Sequence, residues 1–234
     1  MKWLTTNNVM WKSFLSFWLK LPCPLCQRVA ENTLCQYCQK KLLSYQFSNP
    51  KQSWSGNIPV FAWGKYDGEL SRAIAKLKYN NCPELGLFLG NYLGQSWLNN
   101  CPISAQEKLI VLPIPLSQKK LQARGFNQAK LIAQGFCQIT KNTLATEGLI
   151  RSKDTLAMFG LNAIQRENNI RGAFQVSPSW QQNPPKLSVL LLDDIYTRGT
   201  TVTEAAKILR QHKIKVIGAI AVAKTTLEQS NIIK

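Results

Sequence analysis

Acidic side chains are scarce in this 234-residue chain: 12 Asp and Glu stand against 29 Lys and Arg, a formal charge of +17. Between Lys108 and Thr146 there is no acid at all, while Lys119, Lys120, Arg124 and Lys130 cluster inside that stretch. Such a balance points to phosphate-rich ligands or nucleic acid and says nothing about fold; a solvated basic face is the plain alternative. Long hydrophobic runs are also missing. The most apolar opening stretch, Val9 to Leu21, is broken by Lys12 and Lys20 and has no small-residue cleavage site after it, which argues against export and against a membrane span. A docking helix is expected there, with a membrane-surface helix built on Trp11, Phe14, Leu15 and Trp18 as the alternative. Seven cysteines, an odd number without a signal peptide, indicate a reducing compartment, the cytoplasm. No GxxxxGK[ST] loop occurs, which removes P-loop ATPases.

What is present centres on Val189 to Val202, VLLLDDIYTRGTTV. Val189, Leu190, Leu191 and Leu192 form a run too short for a helix and suited to a central parallel strand covered on both faces. Asp193 and Asp194 follow at its carboxyl end, where open α/β sheets bind ligands. The loop Thr197-Arg198-Gly199-Thr200-Thr201 then leads into a helix, with Val202, Ala205, Ala206 and Leu209 at helical spacing up to Gln211. A loop at a helix N-terminus offers backbone N–H groups and the positive dipole end to a phosphate, and the threonines add hydroxyl donors. The two carboxylates suit a sugar phosphate, since they accept hydrogen bonds from ribose hydroxyls while the loop holds the 5′-phosphate. An ordinary strand, turn and capped helix is the competing reading. Four apolar residues, two acids, two variable residues and Thr-x-Gly-Thr resemble the phosphoribosyl pyrophosphate (PRPP) motif of type I phosphoribosyltransferases.

Near the N-terminus, Cys23-Pro-Leu-Cys26 and Cys35-Gln-Tyr-Cys38 repeat a CxxC pair at ribbon-like spacing. Two such knuckles supply four thiolates, the tetrahedral set that structural zinc prefers, and metal would provide the folding energy that so short a segment lacks. A redox CxxC or four unrelated buried thiols remain as alternatives. Residues 44–58 are polar and aperiodic, and the chain divides into an apolar helix plus ribbon over 1–55 and a main domain over 56–234.

In the main domain, Pro59 to Tyr66 is a candidate strand. Leu70, Ile74 and Leu77 mark a helix that also carries Arg72, Lys76 and Lys78. Pro83 opens a second helix with Leu85, Phe88, Leu89, Tyr92 and Leu93 on its apolar side. Leu109 to Pro113 is a buried strand, Ile114 to Gly125 a basic loop, Phe126 to Ile139 a helix, and Val216 to Val222 a further strand. Strands alternating with helices predict a doubly wound parallel sheet.

Taken together, the chain resembles the ComF family of competence-associated, phosphoribosyltransferase-like proteins. The resemblance rests on the cysteine knuckles, Tyr66-Asp67-Gly68, Lys76-Leu77-Lys78-Tyr79, Leu112 to Leu116, Arg124-Gly125-Phe126-Asn127-Gln128-Ala129, the series Arg166, Asn169, Gly172, Ala173, Phe174, and Asp193 to Thr201. It covers nearly the whole chain in order. It implies an α/β fold of the type I phosphoribosyltransferase kind, with an N-terminal zinc ribbon on Cys23, Cys26, Cys35 and Cys38. It also implies PRPP or a related ribose phosphate as ligand, Mg²⁺ with it, and an association with DNA uptake whose partners are single-stranded DNA and uptake proteins. Two positions depart from the family pattern: Met158 stands where glutamine is usual and Arg198 where the loop usually has a second threonine.

If the protein is a transferase, Asp193 and Asp194 are the expected catalytic acids, stabilising a cationic sugar in the transition state. Thr197, Arg198, Gly199, Thr200 and Thr201 would hold phosphate, and Lys76, Lys78 and Arg124 are candidates for pyrophosphate or another anion. The reading from a different class is a non-catalytic nucleic-acid-binding adaptor that uses the fold as a scaffold.

Overall fold

Every apolar run predicted as a strand is one, and four of them lie side by side. The computed structural model describes residues 22–104, 107–154 and 163–226. The apolar segment 9–21, Thr155 and Met158 lie outside the described residues. The strands are β1 (Val60–Lys65), β2 (Leu109–Pro113), β3 (Thr143–Leu144), β4 (Leu149–Arg151), β5 (Phe174–Val176), β6 (Ser188–Tyr196) and β7 (Val216–Lys224). The helices are α1 (Gln36–Leu43), α2 (Gly68–Tyr79), α3 (Glu84–Asn100), α4 (Gln118–Arg124), α5 (Gln128–Thr140), α6 (Ala163–Ile170), α7 (Pro178–Gln182) and α8 (Thr200–Gln211).

Five strands form one parallel sheet in the order β1-β7-β6-β2-β3, and β4 with β5 make a separate antiparallel pair. The predicted sheet is therefore present, parallel and flanked by helices. Its two faces follow the period of two along β6. Leu190 and Leu192 join Phe61, Trp63, Val111 and Ile220 under α2, α3 and α5. Val189 and Leu191 join Ile110, Leu112 and Ala219 under α8, through Val202, Ala205, Ala206 and Leu209. An unbroken apolar strand is what burial on both faces requires.

Helices α3 and α5 cross closely because α3 carries glycine every fourth residue. A Cβ on Gly90 would lie 2.1 Å from the Ile132 carbonyl oxygen, and one on Gly86 2.5 Å from the Leu131 Cβ. This crossing fixes the position of α5, whose N-terminus faces β6. The ribbon is fastened to the same core: Cys23, Leu25, Leu34 and Leu42 share a buried cluster with Leu70, Ile74 and Leu77 of α2.

Two differences from the sequence reading bear on the site. The basic loop predicted over residues 114–125 is helical at Gln118–Arg124, with Ser117 Oγ accepting from the Lys120 N–H and Gly125 closing the helix at φ 79°. That is a serine N-cap and a glycine C-terminal stop in a span with little apolar periodicity to announce it. Strand β6 also runs on through both aspartates to Tyr196, since β7 keeps pairing with it as far as Lys224.

Candidate functional site

Strand β6 is the middle strand of five, and the connections on its two sides diverge. From β2 the chain passes through α4 and α5 to β3, while from β6 it passes through α8 to β7, on the opposite face and in the opposite direction. The crevice outside the strand ends at such a switch point is where doubly wound sheets bind ligands. Strand β2 ends at Pro113, opposite Leu192, and the Ile114 N–H donates to the Leu192 carbonyl at 2.8 Å. Beyond that bond β6 loses its neighbour on one side, and the next two residues are Asp193 and Asp194.

The acids are not equivalent. Asp194 is 4% exposed and forms an ion pair with Lys78, from the last turn of α2. Gln128 Nε2 donates to Asp194 Oδ1 at 3.3 Å, and the Asp194 backbone N–H donates to Asp193 Oδ1 at 2.9 Å. Burial opposes charge on Asp194, yet the Lys78 ammonium and side-chain hydrogen bonds from Asp193, Lys78 and Gln128 hold its carboxyl below the usual range. On Asp193, burial and then the adjacent Asp194 charge push the carboxyl well above that range. Between their shifted values the two carboxyls therefore share one proton, held on the Asp193 side.

The sequence offers Lys78 as a free anion receptor; in the fold its ammonium is already committed to Asp194. Lys76, two residues earlier, is rotated about 200° around the helix and lies near the Cys82 thiol instead. Arg124 does reach the site, at one remove. It donates to Gln128 Oε1, and its guanidinium lies 5.5 Å from the ring centroid of Tyr79, which is 76% exposed. Lys78, Asp194, Gln128, Arg124 and Tyr79 thus form a chain of neighbours that returns to its own starting point on α2.

Two further cations converge here that the sequence pattern does not assign to the site. Burial lowers the Lys120 pKa, and Arg151, Arg124 and Lys78 push it the same way. Burial lowers that of Arg151 too, while Asp193 and Asp154 draw it back up. Side chains that perturb one another across four different elements sit around one space, beside two carboxyls whose proton affinities are driven apart. Nothing local in the sequence marks Arg151, which arrives on the short β4. Gln128 is visible in sequence only as part of the Arg124 to Ala129 stretch, whose Asn127 caps α5 and donates to the Ile114 carbonyl at 3.0 Å.

The loop after β6 starts α8 without a side-chain cap. Thr197 and Arg198 are exposed or nearly so, Thr200 and Thr201 half-buried, and Gly199 is buried at φ 77°. Only glycine fits at that point: a Cβ would lie 2.3 Å from the Tyr196 hydroxyl, and the backbone is in the left-handed region. The glycine is thus required by the tyrosine that precedes it as well as by any phosphate that follows.

In the ribbon the four predicted ligands come together. The sulfurs of Cys23, Cys26, Cys35 and Cys38 all lie within 4.8 Å of one another, with Cys26 and Cys35 at 3.5 Å. Four thiolates around one zinc at its usual bond length stand about 3.8 Å apart, so the cluster fits a tetrahedral ion. Burial disfavours a thiolate at Cys23, but hydrogen bonds from the Cys35, Leu25 and Cys26 backbone outweigh it and lower the thiol to about 7. Burial and then the three neighbouring thiols push Cys38 the other way, a repulsion that a cation among the four sulfurs would relieve. Among the described residues, no helix is long and apolar enough to cross a membrane.

No family model matches the chain. Curated relatives do. Competence protein F of Haemophilus influenzae is 26% identical over 216 residues, 84% of this chain and 92% of its own length. DNA utilization protein YhgH of Escherichia coli K12 is 24% identical over 87% of this chain and 90% of its own length, and competence protein ComFC of Bacillus subtilis 22% over 80% and 70%. Among solved structures, an adenine phosphoribosyl transferase from Trypanosoma brucei aligns with 84% of this chain and 71% of its own, at 12% identity and a TM-score of 0.38. Relatives of these names align along most of its length, and the chain is a homologue of competence protein F, YhgH and ComFC.

Proposed function

We propose that the crevice at the end of β6 binds PRPP or a related ribose phosphate, with Mg²⁺, in a protein that serves DNA uptake. The observation that carries this reading is the division of charge around one switch point. An uncapped helix N-terminus behind Gly199 suits a 5′-phosphate, and the Asp193–Asp194 pair suits ribose hydroxyls. Lys120, Arg124 and Arg151 surround the remaining side and suit a pyrophosphate. Structural zinc in the four-thiol cluster is part of the same reading, as is a division of the chain near residue 55. The relatives' names, competence and DNA utilization, support the biological assignment.

Were the protein to transfer the sugar, Asp193 and Asp194 would face the cationic sugar carbon as pyrophosphate leaves. Calorimetry of the zinc-loaded chain with PRPP and Mg²⁺, followed by a pyrophosphate-release assay, tests binding and turnover separately. No heat and no thermal shift at millimolar PRPP would sink the reading. Gly199→Val serves as the control, since it should abolish binding of PRPP and ribose 5-phosphate alike.

A specific observation also favours the second reading, a nucleic-acid-binding adaptor. Tyr79 presents an exposed ring backed by Arg124, whose helix also carries Lys119 and Lys120, an arrangement that suits an unpaired base and its phosphates.

A further inference from the structure

Gln128 is the first residue of α5, is buried at 5% exposure, and meets Asp194 from 66 residues away. Its place beside β6 is fixed by its neighbours. Asn127 caps α5, accepting from the Ala129 and Lys130 N–H groups, and donates to the Ile114 carbonyl at 3.0 Å. The Ile114 N–H in turn donates at 2.8 Å to the Leu192 carbonyl, two residues before Asp194. Helix α5 therefore begins at a set position next to the acid pair.

The two partners of the Gln128 amide have opposite requirements. The Arg124 guanidinium only donates, and it takes Oε1. The Asp194 carboxylate, paired with Lys78, only accepts, and it takes Nε2 at 3.3 Å. A single orientation of one amide satisfies both. A carboxylate at this position cannot donate to Asp194, an ammonium cannot accept from Arg124, and an aliphatic chain does neither. A cation on the amide oxygen also polarises the N–H₂ group into a better donor. We infer that Gln128 is a positioning residue of the sugar-phosphate site: Arg124 holds its amide in one orientation, and the amide holds Asp194 charged and aimed. The inference deepens the ribose-phosphate reading and rests on it for its last step. The other groups around the acid pair are Lys78 and Tyr79 of α2, Tyr66 just before that helix, Lys120 of α4, Arg151 of β4 and Asp154. The substitutions below leave all of them in place.

The test follows the carboxyl carbons of Asp193 and Asp194 by NMR as pH is varied, on the full, zinc-loaded chain labelled at aspartate and without any sugar. Gln128→Glu keeps the length and the Arg124 contact but sets an acceptor against Asp194. Gln128→Met removes both hydrogen bonds and keeps the bulk. Both should move the Asp194 midpoint upward, Gln128→Glu the further. Arg124 is half-buried, so Arg124→Met should fold normally. It should raise the Asp194 midpoint in the wild-type background and raise it less in the Gln128→Met background, because a guanidinium acting only through space gives the same shift in either. Should Gln128→Met fail to fold, Gln128→Glu serves as the second background. In calorimetry, loss of the amide should weaken ribose 5-phosphate about tenfold. The inference is overturned if Asp194 titrates in Gln128→Glu as it does in the wild type, if Arg124→Met shifts it equally in both backgrounds, or if ribose 5-phosphate binds the Gln128 variants as tightly as the wild type. Wild-type protein that binds no ribose 5-phosphate sinks the sugar-phosphate reading instead, and the carboxyl titrations then decide the role of Gln128 toward Asp194 alone.

Discussion

Lys78 and Asp194, brought together from the end of α2 and the end of β6, form an ion pair in which the aspartate side chain is 5% exposed and the lysine side chain 18%. Removing one partner of such a pair leaves a buried charge without compensation, which costs about 3–5 kcal/mol. Lys78→Met and Asp194→Asn should therefore each lower unfolding free energy by roughly that amount. The double variant should lose distinctly less than the sum, because no charge is then stranded. A urea double-mutant cycle measures the coupling, and additive losses would show that the two side chains act independently. Asp194→Asn is consequently a poor probe of catalysis, since it disturbs Lys78 as well; Asp193→Asn is the cleaner one.

Unequal carboxyls make stability depend on pH in two opposite ways. The Asp194 pKa is depressed in the fold, so its contribution is present above the ordinary carboxylate value of about 4 and is lost as pH falls below it. The Asp193 pKa is raised, so between about pH 4 and its folded value the native state holds a proton that the unfolded chain has released, and stability falls as pH rises. Asp193→Asn should abolish the decline on the alkaline side and leave the acid-side loss in place. Lys78→Met should shrink the acid-side loss. Urea titrations from about pH 3.5 to 8 on the three proteins check both signs, and a wild-type-like curve for Asp193→Asn would rule out a shared proton.

How much of this is legible in the sequence depends on whether the determinants are contiguous. The strand, acid pair, loop and helix of residues 189–211 lie in one stretch, so hydrophobic period and residue type are enough to order them. The cysteine cluster is readable for the same reason, its spacing being local. Gln128, by contrast, meets Asp194 across 66 residues, and only the glycine-mediated crossing of α3 and α5 puts it there. Neither Gly86 nor Gly90 shows in an apolar-period count, because close approach of two helices leaves no hydrophobic signature. Lys78 reads as a surface cation because half of a buried pair looks in sequence like any other lysine. Arg151 escapes notice because β4 is three residues long, too short for a period to be visible.

The ribbon should be coupled to the main domain. Arg72 of α2 holds Glu69 at 2.8 and 2.9 Å and also donates at 2.8 Å to the carbonyl of Leu25, inside the first knuckle. Cys23, Leu25 and Leu34 share the core with Leu70 and Leu77. Purified protein should carry about one zinc per chain, and Cys35→Ser should release it. Loss of the ion should lower the melting temperature of the whole chain in one transition, because a knuckle without metal no longer packs against α2. Metal analysis and a thermal melt with and without chelator decide it. Zinc-free protein, or a melt indifferent to chelator, would detach the ribbon from the fold's stability.

Tyr79 and the basic residues of α4 should separate two contributions to single-stranded DNA binding. An exposed aromatic ring offers a stacking face to any base, worth about 1–3 kcal/mol per base and indifferent to salt. The Arg124 guanidinium, 5.5 Å from that ring, braces it from one side and leaves the other to the ligand. Lys119 and Lys120 contribute through phosphates, so their effect should appear in the salt dependence, about 0.7 in slope for each phosphate that a lysine neutralises. Tyr79→Ala should accordingly weaken binding to a mixed-sequence oligonucleotide without changing the slope of log affinity against log salt. The Lys119→Ala, Lys120→Ala pair should flatten that slope. Duplex DNA, whose bases are already stacked, should respond to the lysine substitutions and not to Tyr79→Ala. Fluorescence anisotropy across a series of salt concentrations distinguishes the two. Affinity independent of salt, or a Tyr79→Ala variant that binds single strands as the wild type does, would return this face to ordinary solvated surface.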